Sequence, residues 1–113
     1  MRSRCLKVLP FACSLSLAAT VALAEPTSTV PGQVLQVRPY MNPDDPCAFI
    51  VVDNTSLCGV STFKISLRDN AGLAALSVAI TSMTTGKPVT LEVSNATGCQ
   101  GANSLLQSIY LQR

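Results

Sequence analysis

The stretch from Phe63 to Val93, FKISLRDNAGLAALSVAITSMTTGKPVTLEV, decides the fold because its hydrophobic period changes twice. From Phe63 to Leu67 apolar and polar residues alternate, which is typical of a strand with one face on a core. The next apolar residues recur at spacings of three, four and three, the period of one helix face. They are Leu73, Leu76, Ile80 and Met83. Alternation returns from Val89 to Val93, so the stretch predicts a strand, a helix and a second strand.

The predicted helix has ordinary signals at both ends. Asp69 and Asn70 carry short side-chain oxygens that can accept hydrogen bonds from the free amides of a first turn beginning at Ala71. Gly86 suits the left-handed position after the last turn, and Pro88 prevents continuation. We therefore expect the helix to end just before Gly86.

The two faces of this helix differ in side-chain size. We expect the apolar stripe to face the core. In a small β-barrel the helix closes one end of the barrel, and its apolar side chains cover the core there. The opposite face is small and uncharged, whereas a solvated helix normally carries Lys and Glu. Its members are Ala71, Ala75, Ser77, Ala79 and Ser82. The sequence therefore indicates Ala75 and Ala79 as an oligomer contact, with a bland exposed surface as the alternative.

Three further strand candidates complete the pattern. They are Gln33 to Arg38, Ala48 to Val52 and Leu105 to Leu111. The resulting order β-β-β-α-β-β predicts a mainly β protein with one helix, and it fits the five-stranded barrel called the OB-fold. An open α+β sheet with the helix on one face is the alternative. The predicted domain covers residues 33–113, and residues 25–32 are expected to form a flexible leader.

Residues 1–24 have the composition of a signal peptide. A basic start is followed by an apolar run that closes on Ala22-Leu23-Ala24, the small-residue pattern that a signal peptidase cleaves. We expect cleavage before Glu25 and a secreted or periplasmic protein after bacterial export. A retained membrane anchor is the alternative, but the run is short for a span and contains Pro10.

The charge balance argues against a polyanionic partner. The whole chain has 8 Lys+Arg and 6 Asp+Glu, a net charge of +2. Arg2, Arg4 and Lys7 lie in the predicted signal peptide, which leaves 5 − 6 = −1 after cleavage. Proteins that bind nucleic acid carry a basic patch or stripe. We therefore expect neither a nucleic-acid partner nor, once the signal peptide is removed, a membrane association.

Three cysteines remain after cleavage, namely Cys47, Cys58 and Cys99, so one intramolecular disulfide leaves one thiol. In an OB-like order the third and fifth strands run parallel as neighbours. Cys58 precedes the third strand and Cys99 precedes the fifth. This placement favours a Cys58–Cys99 disulfide with Cys47 free and buried at the other end. Pairing of Cys47 with Cys58 is the alternative.

Candidate chemistry is sparse. The chain has no histidine, so a zinc site would lack a fourth ligand, and serine, threonine or cysteine nucleophiles would lack their usual base. Asp44 and Asp45 lie in a proline-flanked turn and are interpreted as turn formers. Lys64 and Lys87 are interpreted as solvated charges. We expect no metal, no cofactor and no catalytic activity.

The junction Met83-Thr84-Thr85-Gly86-Lys87-Pro88-Val89 resembles the B subunits of the subtilase cytotoxin and typhoid toxin type, where a helix likewise runs into a Thr-Gly-x-x-Val strand. The closing segment from Asn103 to Leu111 resembles small secreted bacterial proteins of unassigned role. This resemblance implies an exported OB-fold, a ring of five subunits and a shallow site for cell-surface glycans. The toxin subunits also have a disulfide placed like the Cys47–Cys58 alternative. No sugar-contacting residue carries over, because Val34 to Tyr40 has no matching serine.

Two functions are therefore expected from the sequence. The first is a secreted or periplasmic binding domain that recognises cell-surface glycans, as a homo-oligomer like the toxin subunits. The alternative is a non-catalytic periplasmic structural or interaction protein that docks on another protein through its helix or a sheet edge.

Overall fold

The computed structural model describes residues 31–111, so the predicted signal peptide and most of the leader lie outside the described residues. Five strands and one helix follow in the predicted order. They are β1 (Val34–Tyr40), β2 (Cys47–Val52), β3 (Thr62–Ser66), α1 (Asn70–Thr85), β4 (Val89–Val93) and β5 (Leu106–Leu111). The prediction of a mainly β protein with one helix is confirmed.

The strands form two antiparallel sheets and not one closed barrel. β2 lies between β1 and β3 in the first sheet, and β4 pairs with β5 in the second. One parallel bridge joins Lys64 of β3 to Leu105, where the Lys64 amide donates to the Ser104 carbonyl at 2.9 Å. The parallel pairing between β3 and the start of β5 does not extend beyond this bridge, because the chain leaves the sheet after Ser66 to enter the helix. Among the described residues, the predicted five-stranded barrel is therefore replaced by two sheets.

The second link between the sheets lies at the end of the leader. Gly32 and Val89 exchange two backbone hydrogen bonds of 2.9 Å each. A side chain at position 32 would come within 2.7 Å of the Asn54 amide nitrogen, so glycine permits this close approach. The expected flexible leader is therefore fixed at its last residue, although most of it lies outside the described residues.

β1 is longer than predicted because it continues through Pro39 to Tyr40. Pro39 is paired in register with Ala48. A proline has no amide hydrogen to donate, but β1 is the edge of its sheet and pairs along its length with β2 alone, so the position tolerates it. Arg38 and Tyr40 are thereby placed on the same face of one strand.

The core lies between the inner faces of the two sheets and the helix. Its buried members come from every strand and from α1. They include Val34, Ala48, Ile50, Val52, Leu57, Phe63, Ile65, Ala79, Val89, Leu91, Val93 and Ile109. The apolar positions of the alternation in β3 and β4 are buried as predicted. Thr90, a polar position of the β4 alternation, is only 5% exposed as well.

The ends of α1 match the sequence prediction. The Asp69 side chain accepts a hydrogen bond from the Gly72 amide at 3.0 Å, which makes Asp69 the N-cap. Gly86 follows the last turn with φ of 75°, and its amide donates to the Ser82 carbonyl at 2.8 Å. Glycine adopts this left-handed conformation at little cost.

The prediction that the large apolar stripe of α1 faces the core is wrong. Leu73, Ile80 and Met83 are 50%, 44% and 43% exposed, whereas Ala79 and Ser82 have no exposed surface. Only part of the small face lies inward, since Ala71 and Ser77 are exposed. The small side chains of Ala79 and Ser82 let the helix backbone approach the sheets closely. The Ser82 hydroxyl is satisfied within the core, since it donates to the Lys87 carbonyl at 2.6 Å.

The predicted oligomer contact is corrected by the same observation. Ala79 is fully buried within its own chain, and Ala75 packs against the same core. A side chain with no exposed surface cannot contact a second subunit. Ala79 is therefore a packing residue, whereas Ala75 is only partly buried. The exposed large side chains of the helix, Leu73, Ile80 and Met83, lie elsewhere on it.

The helix approaches the end of β3 closely at Gly72. A Cβ atom at this position would overlap the Ser66 carbonyl oxygen, which is backbone and cannot move aside as a side chain can. Ala normally stabilises a helix relative to Gly by about 1 kcal/mol. We expect Gly72→Ala to destabilise instead, by about 2 kcal/mol in the free energy of unfolding, because of the overlap.

Urea denaturation measures this change. Ser77→Ala, at an exposed position of the same helix, is the matched control and should change the free energy of unfolding by less than about 0.5 kcal/mol. A Gly72→Ala variant as stable as the wild type would contradict the close packing.

The disulfide joins Cys58 to Cys99, the pairing that strand order favours, and not Cys58 to Cys47. The two Cα atoms are 5.5 Å apart, and the bridge closes a sequence separation of 41 residues. Cys58 has φ of 60°, an uncommon value for a residue with a side chain, and it precedes Gly59 in a tight turn. Cys47 is free and 4% exposed, at the opposite end of the first sheet.

Removal of this disulfide should cost a large part of the stability of so small a domain. Replacing Cys58 and Cys99 together by serine restores the conformational freedom of the unfolded chain. The chain-entropy model then gives a decrease of about 4 kcal/mol in the free energy of unfolding. Chemical denaturation of both proteins measures the loss. Cys47→Ser is the contrasting variant. It keeps the disulfide, so its free energy of unfolding should fall on addition of reducing agent by as much as that of the wild type.

Candidate functional site

The outer face of the first sheet concentrates aromatic and cationic side chains. Residues directly opposite one another in antiparallel strands share a face. The register places Arg38, Phe49 and Lys64 in one row across the sheet. The next row holds Tyr40, Cys47 and Ser66. We call these six residues the sheet face.

Tyr40 and Phe49 of the sheet face are in contact, and Arg38 helps to hold the Tyr40 ring in place. The rings of Tyr40 and Phe49 meet edge to face, with centroids 5.4 Å apart and an interplanar angle of 83°. The Arg38 guanidinium lies 5.0 Å from the Tyr40 centroid, and it donates a hydrogen bond to the Tyr40 hydroxyl at 3.0 Å. Such edge-to-face and cation–π contacts fix ring orientation. The Tyr40 ring is held in place although it is 43% exposed.

A small ionic cluster fastens the loop between β1 and β2 to the rim of the sheet face. The Lys64 ammonium nitrogen lies 2.7 Å from an Asp45 carboxylate oxygen, and Arg68 lies 3.6 Å from the other oxygen. Arg68 also donates to the Asp44 carbonyl at 2.5 Å. Asp45 is therefore an ion-pair partner and more than the turn former that the sequence indicates.

These contacts change the acidity of Asp45. The hydrogen bond from Lys64, together with the positive charges of Lys64 and Arg68, holds the pKa of the Asp45 carboxyl below its ordinary value, although partial desolvation opposes the shift. A carboxyl group with a lowered pKa in the folded state stabilises the fold above its unfolded pKa of about 3.9. That contribution is lost as the pH falls through the folded value.

A shallow groove lies between α1 and β5. One part, about 210 Å³, is lined by Ile65, Ala75, Leu106 and Gln107 among others, and a second part of about 250 Å³ continues along Ala74 and Val78. Its single charged residue is Asp69, which already caps the helix. The groove carries neither an aromatic ring nor a cation, so it offers less for a polar ligand than the sheet face.

The sequence prediction missed the sheet face. The strand predicted from Gln33 to Arg38 stops short of Tyr40, and the sequence alone indicates a solvated charge at Lys64. The signal that was present is the alternation of Arg38 and Tyr40 across Pro39, which an edge strand permits. The site residues predicted from the sequence lie elsewhere. Cys58 and Cys99 form the disulfide, Ala79 is in the core, and Ala75 packs against the core.

Comparisons with protein-family models, with curated proteins and with solved structures found no match to this chain. Within residues 31–111 there is no group of three or more cysteine, aspartate or glutamate side chains that could hold a metal ion. No helix in that part of the chain is long and apolar enough to cross a membrane.

The ionic cluster predicts a pH dependence that one substitution removes. Asp45→Asn should be less stable than the wild type at pH 7, where the wild-type carboxylate is charged and paired. The difference should shrink as the pH falls below about 4, because the wild-type group then becomes protonated and loses the same interaction. Urea denaturation at pH 7 and pH 3 measures both values.

Asp44→Asn is the matched control, since the Asp44 side chain forms no ion pair within the described residues. It should keep the pH dependence of the wild type. An Asp45→Asn variant that shows the full wild-type dependence would mean that Lys64 does not hold Asp45 in solution.

Proposed function

We propose that this chain is a small exported, non-catalytic binding module of the OB-fold type, and that it recognises cell-surface glycans through the sheet face. The single observation that carries the proposal is the ordered Tyr40 ring, braced by Phe49 and Arg38 and still 43% exposed. A rigid, partly exposed ring can lie against the apolar side of a sugar without losing conformational freedom on binding.

The strand connectivity supports the OB-fold part of the proposal. In that fold the third and fifth strands are parallel neighbours, and the start of the first strand meets the fourth. The Lys64–Leu105 bridge is parallel, and the Gly32–Val89 bridge lies at the start of β1 and of β4. These two single bridges between the sheets lie where an OB barrel would have its two seams, which supports the proposal.

The position of the sheet face supports the ligand-binding part. OB-folds bind oligosaccharides and oligonucleotides on the face of strands 2 and 3 and on the adjoining loops. Four residues of the sheet face lie on β2 and β3, and Arg38 and Tyr40 lie on the neighbouring strand β1. The loop held by Lys64 and Arg68 joins β1 to β2. In residues 31–111 the Asp and Glu total is 5 and the Lys and Arg total is 4, so an extended polyanion has no general attraction to this domain.

The polar groups of the sheet face suit hydroxyl-rich ligands. Arg38 directs one donor to the Tyr40 hydroxyl, and a guanidinium has five N–H donors in all. Ser66 adds a hydroxyl that can donate and accept at the other side of the same face. A sugar ring over Tyr40 would therefore meet donors around its edge and an aromatic surface beneath it.

A second candidate function is docking on another protein. The specific observation in its favour is the apolar surface of α1, on which Leu73, Ile80 and Met83 are about half exposed. This surface and the sheet face lie on different elements, so the two functions do not exclude one another.

A glycan array tests the first proposal. Protein expressed from the full sequence in an exporting bacterium should bind a defined set of glycans, and titration calorimetry should then give an affinity for the strongest. Tyr40→Ala should weaken that binding at least tenfold, about 1.4 kcal/mol, through loss of the ring.

Tyr110→Ala is the matched control, because Tyr110 is also partly exposed, at 39%, but lies on the other sheet. It should bind as the wild type does. An array without binding above background, or equal losses from both tyrosine substitutions, would reject the glycan proposal.

A further inference from the structure

The exposed stripe of α1 lacks the charges that normally accompany an exposed helix surface. None of its 16 residues is acidic or basic, from Asn70 to Thr85. The three residues Leu73, Ile80 and Met83 are 50%, 44% and 43% exposed, and Leu76 between them is partly buried. Solvated helix surfaces usually carry Lys, Arg or Glu, and an exposed apolar patch marks an interaction site.

Apart from Leu76, which also packs against the core, the stripe is separate from the surfaces that α1 uses within its own chain. Ala79 and Ser82 are buried in the core, and Ala71, Ala74, Ala75 and Val78 border the groove beside β5. With 3.6 residues per turn, the stripe lies about a third of a turn from the buried pair, on the side away from that groove. Its large side chains are therefore available without unfolding the domain.

The spacing of the stripe matches a second copy of the same helix. Its intervals of three, four and three residues read the same in both directions and are symmetric about position 78. In two copies packed antiparallel across a twofold axis, Leu73 meets Met83 of the other copy. Leu76 meets Ile80 in the same way. A twofold interface requires such a self-complementary patch, in which each contact occurs twice.

Charge does not oppose this association. Residues 31–111 have 4 Lys+Arg and 5 Asp+Glu, so the net charge of this part of the chain is 4 − 5 = −1. Repulsion between two such domains is weak. A partner with a charged surface would have to desolvate its charges against an uncharged helix without compensation, whereas an identical helix brings no charged side chain to desolvate.

The available area limits the affinity. A helix of 16 residues is about 24 Å long. A stable interface typically uses about 800 Å² and 20–30 residues from each partner. One helix face supplies only part of this, and a dissociation constant on the order of 10 μM is expected rather than a nanomolar one.

We propose that Leu73, Leu76, Ile80 and Met83 form a twofold self-association surface that joins two copies of this chain through antiparallel helices.

Sedimentation equilibrium tests the surface. The wild type should show a monomer–dimer equilibrium, and Leu73→Glu or Ile80→Glu should raise its dissociation constant by at least about 30-fold, as expected for a central apolar contact. Thr81→Glu is the matched control on the same helix, at an exposed position outside the stripe. It should leave the equilibrium within about threefold of the wild type.

Far-UV circular dichroism should be the same for all four proteins, because the substituted side chains are substantially exposed in the monomer. A wild type that stays monomeric up to about 1 mM overturns the proposal. A ring of five overturns it as well, since a ring uses two different surfaces on each subunit.

Disulfide trapping tests the orientation independently of affinity. In a Cys47→Ala background, Leu73→Cys combined with Met83→Cys should form covalent dimers on oxidation, with peptide mapping showing position 73 of one copy linked to position 83 of the other. Either single substitution should form none. Across the axis, two copies of position 73 are about 15 Å apart, beyond the roughly 7 Å limit between Cα atoms of a disulfide. Covalent dimers from a single substitution, or none from the pair, overturn the antiparallel arrangement.

Discussion

The close packing of α1 against the sheets is the constraint on which the rest of the structure depends. At Gly72 the helix backbone meets the Ser66 carbonyl with no room for a Cβ atom. Such an approach is possible only if the inward side chains are small, as Ala79 and Ser82 are. Ala79 and Ser82 therefore belong to the core, and the larger Leu73, Ile80 and Met83 lie outside it.

This constraint explains why the helix has an apolar surface without acting as a hydrophobic plug. Hydrophobic burial alone would favour Leu73 and Ile80 inside, since each large side chain gains about 1.5–3 kcal/mol when fully buried. The short connection from β3 through Asp69 leaves too little space between helix and sheet for these side chains. Packing geometry outweighs side-chain hydrophobicity here, and the apolar stripe remains for contacts outside the domain.

Much of the fold could be predicted from the sequence because its signals are local. Alternation predicted β3 and β4, Asp69 and Gly86 gave the ends of the helix, and strand order favoured the Cys58–Cys99 pairing. The inward face of α1 could not be predicted, because the helical period shows which residues share a face but not how closely that face approaches its neighbour. The barrel could not be settled either, since closure depends on how far β3 continues beside β5.

The candidate site escaped prediction for a different reason. Arg38, Phe49 and Lys64 are far apart in the sequence, and only the strand register brings them into one row. That register requires β1 to continue through Pro39, which an edge strand tolerates and a central strand does not. The same edge position that admits the proline therefore places Tyr40 beside Phe49. The sheet face is thus a consequence of strand order, and it leaves the apolar surface of α1 free for a separate contact.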